Sequence, residues 1–135
     1  STTAATIYGA GAFPLLSAVT NVVSNVLTLT HDTSGTAANG FGASVALKLE
    51  SSTTAAQDAA LISALWNDAT HATRKADLVL SAYDTAVREG LRIRGNGSGP
   101  AIGFFGTAPA ARPTGVAVTA AGIHAALVTL GLITA

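Results

Sequence analysis

The sequence predicts a mainly β protein of antiparallel strands, finished by one short C-terminal α-helix. Three observations carry this expectation. Apolar and polar residues alternate with period two over residues 27–32, 43–50, 77–83 and 91–94, the spacing of half-buried strands. Small, polar and glycine-rich segments separate these runs, as strand connections do. After Thr119 the period lengthens to three or four residues, through Ile123, Ala126 or Leu127, Leu130 and Ile133, which is the period of a helix face.

The elements follow in order. Residues 1–18 hold Gly9-Ala10-Gly11-Ala12 and Pro14, where missing side chains and a missing backbone donor favour turns and edges over a central strand. Residues 22–32 are rich in Val, Thr and Asn and read as a strand. Residues 33–42 form a connection, and residues 43–50 a second strand with Val45, Leu47 and Leu49 on one side and Ser44, Ala46, Lys48 and Glu50 on the other. These two runs are the clearest candidate antiparallel unit. Ser51-Ser52-Thr53-Thr54 is a polar loop.

Residues 55–68 fit two readings. Thr54 as cap with Ala59, Ile62, Leu65 and Trp66 near one face suits a helix. Alternation of Ile62, Ala64 and Trp66 with Leu61, Ser63 and Leu65 suits a strand buried on both faces. Residues 67–74 have the length of a hairpin loop. Leu78, Leu80 and Ala82 then alternate with Asp77, Val79, Ser81 and Tyr83, and Leu91-Arg92-Ile93-Arg94 is a short strand with two arginines on a solvated face. Residues 95–100 are a turn, residues 101–105 a last strand, and residues 107–114, with Pro109 and Pro113, an extended linker. Thr119 is the expected N-cap of a helix over residues 119–130 and Gly131 its stop.

Composition narrows the function. The chain has 135 residues, one domain's worth or two at most. Only 10% of its residues are charged, against about a quarter in ordinary soluble domains. Seven basic and seven acidic residues balance, which argues against a nucleic-acid partner and against a polybasic membrane anchor. Without cysteine there is neither a disulfide framework nor a thiolate metal site. No apolar run is long enough to span a membrane as a helix, and no basic start followed by an apolar core marks a signal peptide.

Charge is also unevenly placed. Every Asp, Glu, Lys and Arg lies between Asp32 and Arg112. Two bare, apolar ends favour association, so an oligomer in which other copies of the chain cover them is expected. A charge-free helix of about twelve residues is marginal alone in water, and three copies meeting around an axis would bury it on every side.

The order of several segments carries a family resemblance. Thr20-Asn21 through Leu29-Thr30-His31, Thr33-Ser34-Gly35-Thr36, Gly40-Phe41-Gly42 and Leu49-Glu50 lead to Ala64-Leu65-Trp66-Asn67-Asp68-Ala69-Thr70-His71-Ala72-Thr73-Arg74. Asp77-Leu78-Val79-Leu80-Ser81, Leu91-Arg92-Ile93 and Gly95-Asn96-Gly97 come next. Together they resemble a module of tailed-bacteriophage tail fibres and related prophage proteins. Ile102-Gly103-Phe104-Phe105-Gly106 and the run from Ala126 to Ile133 resemble a C-terminal ending of phage structural proteins. The resemblance implies an intertwined homotrimeric β-prism or sandwich-like assembly, and tips residues 59–68 toward strand. It implies a non-enzymatic virion subunit on the tail or capsid exterior, bound to identical subunits and to other virion proteins. A head decoration protein and a phage-derived extracellular filament are its alternatives. The implied divisions are an attachment arm over residues 1–18, a trimerising domain over 19–106, a linker over 107–118 and a helical clasp over 119–135. Ile123, Leu127 and Leu130 are the clasp residues.

No reactive constellation accompanies these segments. His31, His71 and His124 lack ligand spacing, although three symmetry-related copies of His124 could meet on an axis. Asp77, Asp84 and Glu89 show no acid–base spacing. The serines lack a nucleophile elbow, and Gly95-Asn96-Gly97-Ser98-Gly99 lacks the lysine of a phosphate loop. No catalytic residue, cofactor or metal is therefore assigned. Trp66 and Tyr83 are the candidate contacts of the rival reading, an adhesin for a host-surface glycan; a lone Trp in an apolar strand is more often core. Arg88, Arg92 and Arg94 are expected to pair with Glu89, Asp84 or acids of a neighbouring copy.

Overall fold

The computed structural model describes residues 23, 25, 27–97 and 99–135. The chain divides into two compact units, Ser1–Thr30 and His31–Ala135. Every element below belongs to the second. The expected attachment arm, residues 1–18, lies outside the described residues.

Six strands form one antiparallel sheet in simple sequence order: β1 (Gly42–Leu49), β2 (Gln57–Asp68), β3 (Lys75–Tyr83), β4 (Val87–Arg94), β5 (Ala101–Phe104) and β6 (Ala110–Ala111). One helix follows, α1 (Ala120–Leu130). The expected mainly β class with a short C-terminal helix is thus observed.

The ambiguous segment is a strand. β2 is laddered on both sides, Val45 opposite Ile62 and Ile62 opposite Leu80. Two ladders satisfy far more of its backbone than an isolated helix of this length would, so the tertiary partners override the local helix preference. It is not buried on both faces, however, because Ile62 remains 45% exposed.

Among the described residues, the pairing expected between the runs 22–32 and 43–50 is not formed. Residues 27–32 belong to no strand, and β1 pairs with β2 across the short polar loop after Leu49 and stands at the edge of the sheet. That hairpin closes a shorter loop than the ten-residue glycine-rich connection would. The only described tie between the earlier run and β1 is His31, which donates from Nδ1 to the Gly42 carbonyl at 2.6 Å and stacks on Phe41 with ring centroids 4.4 Å apart.

Loop chemistry holds the meander. The Asp68 carboxylate accepts the Thr70 N–H at 3.0 Å and the Thr73 hydroxyl at 2.8 Å, shaping the β2–β3 loop. Asn39 accepts the Ala69 N–H at 2.9 Å, tying the segment before β1 to the same loop. Asp84 accepts the Ala86 N–H at 2.8 Å in the β3–β4 turn. Irregularities fall at Leu47/Lys48, Trp66/Asp68 and Leu80/Ser81.

Residues 107–114 are not merely extended: they cross β5 and then supply β6. A side chain at Gly103 would stand 2.1 Å from the Thr107 carbonyl, so only glycine lets the crossing segment lie this close. The helix is capped as expected. Thr119 Oγ1 accepts the Gly122 N–H at 3.1 Å, and Gly131 ends the helix in the left-handed region with φ of 77°. The Leu132 N–H reaches back to the Leu127 carbonyl at 3.0 Å, the bonding of a glycine-terminated helix. A side chain at Gly131 would meet Thr107 Oγ1 at 2.2 Å and the Phe104 carbonyl at 2.5 Å. The helix end is therefore seated on the end of β5.

Candidate assembly face

The register sorts the side chains into two unlike faces, because residues opposite each other in an antiparallel ladder share a face. One row across the sheet reads Ala43, Ala64, Leu78, Ile93, Ile102, Ala110. The next reads Val45, Ile62, Leu80, Leu91, Phe104. A third runs Leu47, Ala60, Ala82 and ends on Arg88, and a fourth holds Trp66 opposite Ala76. Every position in these rows is apolar except Arg88, which stands at the end of β3 and β4 and pairs with Asp84.

Among the described residues no second layer covers this face over β1 to β3, while Leu91, Ile93, Ile102 and Phe104 are half-buried. Val45, Ile62, Leu78 and Leu80 are exposed, and Leu47 is half exposed. Among the described residues, Val79 and Ala101 are the only large-to-small apolar side chains classed as buried, and both point to the other side. Normally an antiparallel sheet covers its apolar face and wets its polar one. Here the apolar face is open over β1 to β3.

The apolar surface continues past the sheet edge. Ile102, Phe104 and Ala110 line a groove of about 510 Å³ together with Leu130 of α1 and Arg112. Leu130 and Leu127 are half-buried and Ile123 is exposed. No residue of α1 is fully buried, although the helix carries a charge-free sequence.

The opposite face carries the charges. Its rows run Gly42, Leu65, Asp77, Arg94, Ala101, Ala111 and Ser44, Ser63, Val79, Arg92, Gly103. The Asp77 side chain is wholly shielded from solvent, while those of Arg92 and Arg94 are 24% and 25% exposed. Arg94 donates from Nε to Asp77 Oδ1 at 2.7 Å and from Nη2 to Oδ2 at 2.8 Å. Arg92 donates from Nη1 to Asp77 Oδ2 at 2.8 Å and also forks onto Glu89, from Nε at 2.9 Å. Hydrogen bonds from Arg94, and then from Arg92, hold the Asp77 carboxyl below the usual carboxylate range against the opposing effect of burial. The same bonds raise the Arg92 and Arg94 guanidinium groups, Glu89 contributing most at Arg92. The Asp77 carboxylate is thereby kept ionised with guanidinium partners in place, an arrangement that locks neighbouring strands rather than moves protons.

This corrects one expectation. Arg92 and Arg94 are not a solvated pair but a clamp on Asp77. The pairs Arg88 with Asp84, at 3.0 Å, and Arg92 with Glu89 are formed as expected. Asp77 as a shared partner was legible only once β3 and β4 were in register.

The remaining candidates are scattered. Trp66 lies in the apolar face near the end of β2, beside His31 and Phe41 in a small depression. Tyr83 lies at the far end of β3, opposite Val87 and on the same side as Asp77. The two proposed glycan contacts therefore share neither a face nor an end of the sheet. His71 lies in the β2–β3 loop and His124 on α1. No group of three His, Cys, Asp or Glu among the described residues is placed to hold a metal.

Comparison with protein-family models, with characterised proteins and with solved structures finds no match.

Proposed function

We propose that this chain is a structural subunit of a phage or phage-derived particle, working by self-assembly into a homotrimer rather than by catalysis. One observation carries the reading: among the described residues, a six-stranded sheet whose apolar face stands open to solvent over β1 to β3 and is only half-buried over β4 and β5. A domain of this size exposes such a face at a large cost in hydration free energy, and association removes it. The charge-free helix continues the same surface, in keeping with its proposed role as clasp through Ile123, Leu127 and Leu130. The segments that resemble tail-fibre modules supply the virion context. A tail fibre, a head decoration and an extracellular filament all use such a subunit, and electron microscopy of the native assembly separates a fibre, a shell-bound knob and a continuous polymer.

The test is a mass measurement by sedimentation on the wild type and on Leu127→Asp. The wild type sediments as a trimer at micromolar concentration, and the variant dissociates because it places a carboxylate in the clasp. A strictly monomeric wild type sinks the assembly reading; a fully trimeric Leu127→Asp sinks the clasp.

A further inference from the structure

We infer that the apolar sheet face is itself the subunit contact, that the same face of other copies occupies it, and that Trp66 is one of its anchors. This rests on the self-assembly reading above and goes beyond the helical clasp.

Charge selects the occupant. The rows of Val45 and Ala43 hold no ionisable side chain across the whole sheet. Packing them on the opposite face of another copy would press apolar side chains onto Arg92, Arg94 and Glu89, taking water from charges whose partners are already used. Packing like on like meets one charge, Arg88 at the end of the Leu47 row, which is exposed and already paired with Asp84. The chain therefore supplies its own best partner.

Area agrees. Strand spacing of about 4.8 Å and a rise of about 3.4 Å per residue give the face roughly 500 Å² in plan. Two such faces in contact bury about 1,000 Å², the lower bound of a specific interface, before the α1 groove adds to it. Relief agrees as well. Ala43, Ala60, Ala64 and Ala82 leave hollows between Ile62, Leu78 and Leu80, so that facing sheets can interdigitate.

Trp66 follows from its place. It projects from the same face as Ile62 and Ala64 at one end of the patch, and a Trp at the end of an apolar contact is a frequent anchor. Its role is then to be covered by a neighbouring copy, not to stack on a sugar.

The test uses the full chain. Trp66 is its only tryptophan, so emission reports this face alone. In the assembled wild type, Trp66 emission is blue-shifted and shielded from acrylamide, and dilution that dissociates the assembly red-shifts it and opens it to quenching. Ile62→Lys, at an already exposed position, raises the concentration needed for assembly at least tenfold. Ser44→Lys, on the opposite face of the same sheet, leaves it unchanged. If Ile62→Lys proves unfolded by circular dichroism, the wild-type quenching series decides alone. An assembled wild type with freely quenched Trp66, or one disturbed by Ser44→Lys and not by Ile62→Lys, overturns this face as the contact and leaves self-assembly standing. A wild type that never assembles removes both.

Discussion

Asp77 concentrates the energetics of single residues in this sheet. Its carboxylate is fully shielded and takes three guanidinium hydrogen bonds. Removing it leaves Arg94 without a partner and Arg92 with Glu89 alone, two partly buried cations facing each other. Asp77→Ala should destabilise the fold by about 2 kcal/mol in urea unfolding, below the figure for a fully buried pair because both arginines keep a quarter of their exposure. The same group sets an acid limit. A carboxyl with a depressed folded pKa stabilises fully above its unfolded value of about 3.9, and that contribution fades as pH falls toward the folded value. Unfolding free energy should therefore lose the Asp77 contribution only below about pH 4, and Asp77→Asn should flatten that limb while leaving the slope between pH 5 and 8 unchanged. A variant whose acid limb matches the wild type would show that Asp77 does not set it. Of this network, the sequence revealed the arginines and their alternation. It did not reveal Asp77 as their partner, because residues fifteen and seventeen positions apart meet only through the β3–β4 register.

Among the elements, α1 and β2 mark the two extremes of local determination. The helix was legible to its caps, since Thr119 and Gly131 act through bonds to their own neighbours. Thr119→Ala should cost about 1 kcal/mol, the usual worth of an N-cap. Gly131→Ala should cost at least about 1 kcal/mol, and more here, because its side chain would strike Thr107 as well. Both losses are measurable by thermal unfolding followed at 222 nm, and an unchanged midpoint for Gly131→Ala would contradict the seating of the helix on β5. By contrast, β2 could not be decided locally: its residues suit a helix nearly as well as a strand, and only the ladders from β1 and β3 settle it. The run 27–32 failed in the opposite sense. Its alternation is as regular as that of β1, and β1 leaves its outer edge unpaired, but alternation describes a strand's faces and says nothing of whether the segment pairs at all.

The unit His31–Ala135 is a sheet with a short helix, one sheet face finished and the other open over β1 to β3. If other copies finish it, folding and assembly are one process, and stability depends on concentration. The midpoint of thermal unfolding should then rise by several degrees for each tenfold increase in chain concentration. A midpoint constant over a hundredfold range would mean that the monomer is stable with its apolar face exposed. No helix among the described residues is long and apolar enough to cross a membrane.

The sequence by itself determined the β period of β1, β3 and β4, the strand character of β5, most of the turns between them, and the helix with both caps. Each of these is written in residues within a few positions of one another. It also determined that one face of each strand would be apolar. Only the tertiary structure decided that these faces align in one surface with Arg88 as its single charge, that no other layer among the described residues covers it over β1 to β3, that Trp66 belongs to it while Tyr83 does not, and that Asp77 holds two arginines from the next strand. The physical reason is common to all four: strand order and register are set by pairing between distant segments, and side-chain period carries no information about which distant segment wins.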